Sequence, residues 1–230
     1  MASTQTQLID GLNALAAGLF LLAAFGMVAT RQVQGVLRFL VVESIFVAAS
    51  AFLIGFSRSS IDLVALGLIM IASKVTTIPW VLKRMLPGDV YERREINQFI
   101  NIPSSLLLAL LLAIAAEFLV GPLVAASADP VIHANLPIGL AGLLIGAYTL
   151  IARREAIPQL IGILAMENGA FFAGIAIAPD LPIIAELAIA ADVILISVVV
   201  GVLTRNITET TGTTEAAAMS ELREEPRPWR

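Results

Sequence analysis

The chain has 230 residues, 58% of them hydrophobic and 14% charged, with a mean hydropathy of +0.91; soluble domains carry about 25% charged residues, so an ordinary soluble domain is excluded. A net charge of −4 without a basic surface argues against nucleic-acid binding. With no cysteine and one histidine, the chain cannot supply a disulfide, a thiolate-held iron–sulfur cluster, a zinc-thiolate site or a bis-histidine haem, and no cofactor of its own is expected.

The apolar residues fall into blocks of about 20, the length that crosses a ~30 Å hydrocarbon layer as helix. The fold class is therefore all-α: a polytopic membrane bundle with seven predicted spans at 8–30, 36–57, 61–84, 103–125, 136–153, 157–179 and 182–205. The first run, Leu8 to Thr30, is too long for a signal h-region and has no basic residue before it, so it reads as a retained span. Pro79 lies inside the third run, removes one backbone hydrogen bond and predicts a kink or early end between Thr76 and Trp80. The connector from Lys83 to Asn101, KRMLPGDVYERREINQFIN, carries both signs of charge and reads as an interfacial segment. Pro103, Pro137, Pro158 and Pro182 each fall in the first turn of a predicted helix, where a missing N–H costs nothing. Glu117 reads as interfacial, near the outer end of the fourth span. His133 reads as a solvated residue of the loop ASADPVIHANLP. Gly139, Gly142 and Gly146 form a small-residue face for close helix packing. The bundle occupies 1–207, and the tail 208–230, rich in Thr, Ala, Glu and Pro, reads as disordered and cytoplasmic.

Basic residues set the orientation, because Lys and Arg in short loops resist translocation. Arg31, Arg38, Lys83, Arg84, Arg93, Arg94, Arg153 and Arg154 fall on one side together with Arg205, Arg223, Arg227 and Arg230 of the tail, against Arg58 alone on the other. The amino terminus is expected outside and the carboxy terminus in the cytoplasm.

The informative residues are ionisable ones within apolar runs: Glu43, Lys74, Glu167, Glu186 and Asp192. Each costs roughly 2.5–3.5 kcal/mol on translocon scales, which a passive anchor has no reason to bear. Low dielectric moves buried carboxyls and lysines toward neutral forms, so the group reads as a candidate proton relay, flanked by Ser44, Ser73, Thr76, Thr77 and Asn168. The alternative is a set of paired or protonated groups that only fasten helices together, Lys74 with Glu43 for example. Nucleotide, serine-nucleophile and zinc motifs are absent from the sequence, so a self-contained enzyme is not expected.

A parallel internal repeat is expected, spans one to three matching spans five to seven. Arg31 followed by LRFLVVES and Glu43 resembles Arg154 followed by LIGILAMEN and Glu167.

Over about 8–207 the chain resembles hydrogenase-4 component E, a membrane subunit of complex-I-like hydrogenases such as formate hydrogenlyase. The resemblance is carried by LIMIASKVTTIPWVLKRML in the first half and by RREAIPQLIGILAMENGAFFAGIAIAPDLPIIAELAIAADVILISVVVGVL in the second. The second half is also similar to the short three-span subunit K of respiratory complex I and to its short counterpart in multisubunit cation/proton antiporters, through Arg153, Arg154, Leu160 to Gly162, Asn168, Ala185 and Glu186. In those short subunits a glutamate follows the LIG by two residues; here Leu164 stands there and Glu167 follows about one turn later. The resemblance therefore implies a relay role for Glu186 by position and for Glu167 by neighbourhood, whereas Lys74 and Asp192 are assigned from their apolar surroundings alone. It also implies a bacterial or archaeal cytoplasmic membrane, antiporter-like membrane partners, and a separate cytoplasmic arm that holds nickel–iron and iron–sulfur centres. A cation/proton antiporter subunit without a hydrogenase is the alternative. A reporter fused after Arg230 is expected to be active on the cytoplasmic side only; activity on the outer side alone would refute the odd span count.

Overall fold

The computed structural model describes residues 2–85 and 100–177. The predicted seventh span, the tail, most of the polar connector, Pro182, Glu186 and Asp192 lie outside the described residues. Within them the chain is helical: α1 Ala2–Ala29, α2 Val33–Arg58, α3 Ile61–Met70, a π-helical segment Ile71–Thr77, α4 Ile78–Met85, α5 Ile102–Ala125, α6 Pro130–Ala152 and α7 Ala156–Ile177. Six of the resulting helical stretches are long and apolar enough to cross a membrane, α3, the π segment and α4 counting as one. They correspond to the first six predicted spans.

The helix ends follow local chemistry. Ser60 caps α3 through the Leu63 N–H, and Asn101 caps α5 through the Ser104 N–H. α6 starts at Pro130 and not near residue 136, because Asp129 accepts from the Val131 N–H and Pro130 enters the helix with its φ already set. Pro137 therefore lies inside the helix. His133, expected in a loop, belongs to the first turns of α6 and is exposed, with its ring nitrogen 2.8 Å from the Ser127 carbonyl. Asp129 also pairs with Arg58, which ties the end of α2 to the start of α6.

The two hairpins α1–α2 and α6–α7 are built alike. A single extended residue next to the break ends the first helix or starts the second: Gln32 at φ −102°, ψ 134° and Arg153 at φ −98°, ψ 141°. Asn13 and Asn135 lie about five turns before those residues, and they hydrogen-bond to each other at 2.7 Å. Ser44 and Asn168, each directly following the repeated glutamate, also bond to each other, at 3.0 Å. Matching residues touch where a two-fold relation has its axis, so the hairpins pack as a pseudo-two-fold pair.

Packing between α6 and α7 depends on glycine. A Cβ at Gly169 would overlap the backbone of Leu143 and Gly139, one at Gly146 would come 2.5 Å from the Met166 nitrogen, and one at Gly162 2.7 Å from the Leu150 nitrogen. Such close backbone approach is the usual use of small residues between membrane helices. Gly169→Ala is expected to cost about 1–3 kcal/mol and to lower the unfolding midpoint in detergent, because backbone must move. Gly18→Ala, where the new methyl meets open space, is the control and should hold or raise that midpoint.

Candidate functional site: a polar waist between two apolar layers

The bundle interior is divided into two apolar layers. Toward the end that carries Arg31 and Arg153, Met27, Val36, Leu40, Ile78, Leu160 and Leu164 form one cluster. Toward the opposite end Phe20, Val47, Ala51, Met70, Phe172 and Ile175 form another. Between Leu40 and Val47 on α2 lie Glu43 and Ser44; between Met70 and Ile78 lies Lys74; between Leu164 and Phe172 on α7 lie Glu167 and Asn168. The sequence-predicted residues Glu43, Lys74 and Glu167 thus meet in one polar waist.

Lys74 is its centre. It is 0% exposed, on a buried stripe with Leu63, Gly67, Met70, Ile78 and Leu82. Its ammonium donates to Glu167 Oε2 at 2.8 Å and to Asn168 Oδ1 at 3.2 Å, and stands 5.5 Å from the centroid of the Phe171 ring. The Asn168 amide donates to Ser44 Oγ, which donates to the Leu40 carbonyl at 2.9 Å. Every donor in this chain points the same way, an arrangement in which successive bonds polarise one another. Glu43, 1% exposed, faces the Asn168 side chain and the Lys74 charge. The ion pair goes to Glu167, however, and not to Glu43.

Pro79 explains the backbone that carries the lysine. The proline ring would clash with the Val75 carbonyl in an unbroken α-helix and cannot donate to it. The chain widens instead into a seven-residue π segment, in which the Ile78 N–H reaches the Ser73 carbonyl five residues back. Thr76 and Thr77 hydroxyls return to the Ile71 and Ala72 carbonyls at 3.1 and 2.7 Å. The predicted kink is therefore a π segment that ends just before the proline, with Lys74 in its middle. Such segments are rare and concentrate at functional sites.

Among the described residues, three buried polar atoms near the waist have no hydrogen-bond partner: Glu43 Oε2, Glu167 Oε1 and Ser73 Oγ. Each such atom costs about 1–3 kcal/mol, so this region is kept at an energetic expense.

Two further polar groups escaped the sequence reading. Asn13, Ser50 and Asn135 form a closed triangle of hydrogen bonds at 2.6–2.8 Å, all buried, which pins α1, α2 and α6 together. Two asparagines in apolar runs were the available signal. Arg153, expected as a loop arginine, is 2% exposed and donates to the Met27 and Thr30 carbonyls at 3.0 and 2.9 Å. It caps α1 from the neighbouring hairpin. Burial lowers its pKa to about 10, so it stays charged at neutral pH.

Fold and waist together define a polytopic membrane helix bundle with an ionisable centre. The chain is similar to the uncharacterized protein Rv0085 of Mycobacterium tuberculosis, 29% identical over 209 residues that span 91% of this chain and 94% of that protein. No family model and no solved structure matches. Lys74→Met is expected to cost about 3–5 kcal/mol by leaving Glu167 buried without its cation. Adding Glu167→Leu should recover most of that loss, as read by thermal unfolding in detergent; a double variant no better than the single would refute the pairing.

Proposed function

We propose that this protein is a noncatalytic integral membrane subunit of a complex-I-like hydrogenase of the formate hydrogenlyase type, in which the waist holds and passes a proton within the membrane arm. The observation that supports this reading is the buried lysine of a π segment bonded to one carboxylate, with a second carboxyl beside it. With all three groups ionised, Lys74, Glu43 and Glu167 carry one net negative charge in a medium that penalises it by several kcal/mol. One added proton makes the trio neutral, so the waist is a one-proton store. Lys74, bonded to Glu167 and within electrostatic reach of Glu43, can give its proton to one carboxylate and regain one from the other carboxyl, so that the proton passes between them through the amine. The resemblance of the sequence supplies the partners, antiporter-like membrane subunits and a cytoplasmic nickel–iron and iron–sulfur arm as the redox source, while the distribution of Lys and Arg supplies an outside amino terminus. Glu186 and Asp192 are proposed to extend the relay.

The test is to tag the carboxy terminus, extract native membranes in mild detergent, and identify stoichiometric partners, then measure proton uptake into vesicles. Co-purified antiporter-like subunits with a nickel–iron arm are expected. The same membrane subunits without a redox arm would favour the antiporter reading. Glu167→Gln and Lys74→Met are expected to lower proton movement at least ten-fold with partners retained. Normal proton movement in both variants would overturn the relay.

A further inference from the structure

The fourth span, α5, is the least buried of the six, with 17% of its most apolar window inside the protein. It turns a narrow face of Ser105, Ala109, Ala116 and Val120 inward. Its opposite side exposes Leu107, Leu110, Leu111, Ile114, Phe118 and Leu119, and among them Glu117. Leu110, Ile114, Glu117 and Gly121 follow one another at three- and four-residue spacing, the seam by which one helix receives another. A Cβ at Gly121 would meet nothing, so the seam is open at that point.

Glu117 does not fit a lipid-facing position. It lies about 12 Å along the axis from Ala125, and a helix of 24 residues, about 36 Å long, exceeds a ~30 Å hydrocarbon core by only about 6 Å. Side chains on a helix tilt toward its amino terminus. The carboxylate therefore leans toward the bilayer centre, away from the nearer headgroups to which it would otherwise snorkel. Among the described residues it has no hydrogen bond or ion pair. Pro122, also exposed and inside the helix, has no N–H to give the Phe118 carbonyl.

We infer that this face of α5 is an interface for a transmembrane helix of another polypeptide, and that the incoming helix brings a lysine, arginine or histidine to Glu117. Charge decides among the occupants. A second copy related by a two-fold axis along this seam would set Glu117 against Glu117. The segment 178–204 of this chain contains no lysine, arginine or histidine, so it brings no cation. Acyl chains offer no donor at that depth. The inference is independent of whether the waist moves protons.

A photo-cross-linking residue at Ile114, in the full chain and in native membranes, tests it. The expected adduct is a peptide from a transmembrane helix of a different polypeptide, with a basic residue within about one turn of the cross-linked position. Glu117→Lys should lower the adduct yield at least ten-fold, and Glu117→Gln should lower it less, with the level of the chain in the membrane measured in the same samples. If Glu117→Lys reduces that level, the wild-type adduct and Glu117→Gln decide. Adducts with lipid only, with a second copy, or with a helix lacking a basic residue would overturn the inference, as would an unchanged yield in a well-inserted Glu117→Lys variant.

Discussion

A fully buried lysine in an apolar bundle is the constraint from which the rest of the interior follows. Taking an ammonium out of water costs several kcal/mol, and the cost is offset only by an opposite charge and oriented acceptors at short range. Here Glu167 and Asn168 on α7 provide both, while Ser44 on α2 fixes the Asn168 amide from its other side. Two consecutive spans and a third that lies about 90 positions further on are thereby held in one register. The apolar clusters above and below lower the local polarity, which strengthens each bond in the waist.

Pseudo-two-fold construction accounts for how such a centre is assembled. The two hairpins place Asn13 beside Asn135 and Ser44 beside Asn168, so polar groups at matching positions satisfy one another near the axis. The two hairpins differ where the packing allows. Phe20 lies where the second hairpin has Gly142, and Phe172 where the first hairpin has Ala48; the two rings stack at 4.7 Å in the space those small residues leave. The chemistry differs too, since Glu167 takes the lysine and Glu43 does not. Two similarly built hairpins therefore yield a centre that is asymmetric in charge.

The surface is sorted by a different rule from the interior. Inside, the large polar groups among the described residues have a partner or a neighbour of opposite sign, with Arg153 directing its donors to the carbonyl end of α1. Outside, α5 presents leucine, isoleucine and phenylalanine with one carboxylate among them. Hydrocarbon tolerates the first and not the second, which makes the outer face of α5 the part of the described surface that calls for another protein.

Much of the architecture was legible from residue order. Apolar block length set the helical class and six of the described spans, because a backbone in hydrocarbon must satisfy its own hydrogen bonds and helices do so within one segment. Proline and capping residues set most helix starts, though α6 began earlier than its inner proline suggested, since Asp129 and Pro130 together form the stronger start. Glu43, Lys74 and Glu167 were legible as costly residues because the expense of burial is a property of each side chain alone. Their partnership was not. Which carboxylate meets the lysine depends on the π segment that Pro79 imposes and on helix rotation, and the rotation is settled by contacts between residues about 90 positions apart in sequence. The same holds for the triangle of Asn13, Ser50 and Asn135 and for the capping arginine. Sequence by itself determined what had to be buried and what burial would cost; only the tertiary structure decided which groups share that cost, because pairing is a property of two surfaces brought together.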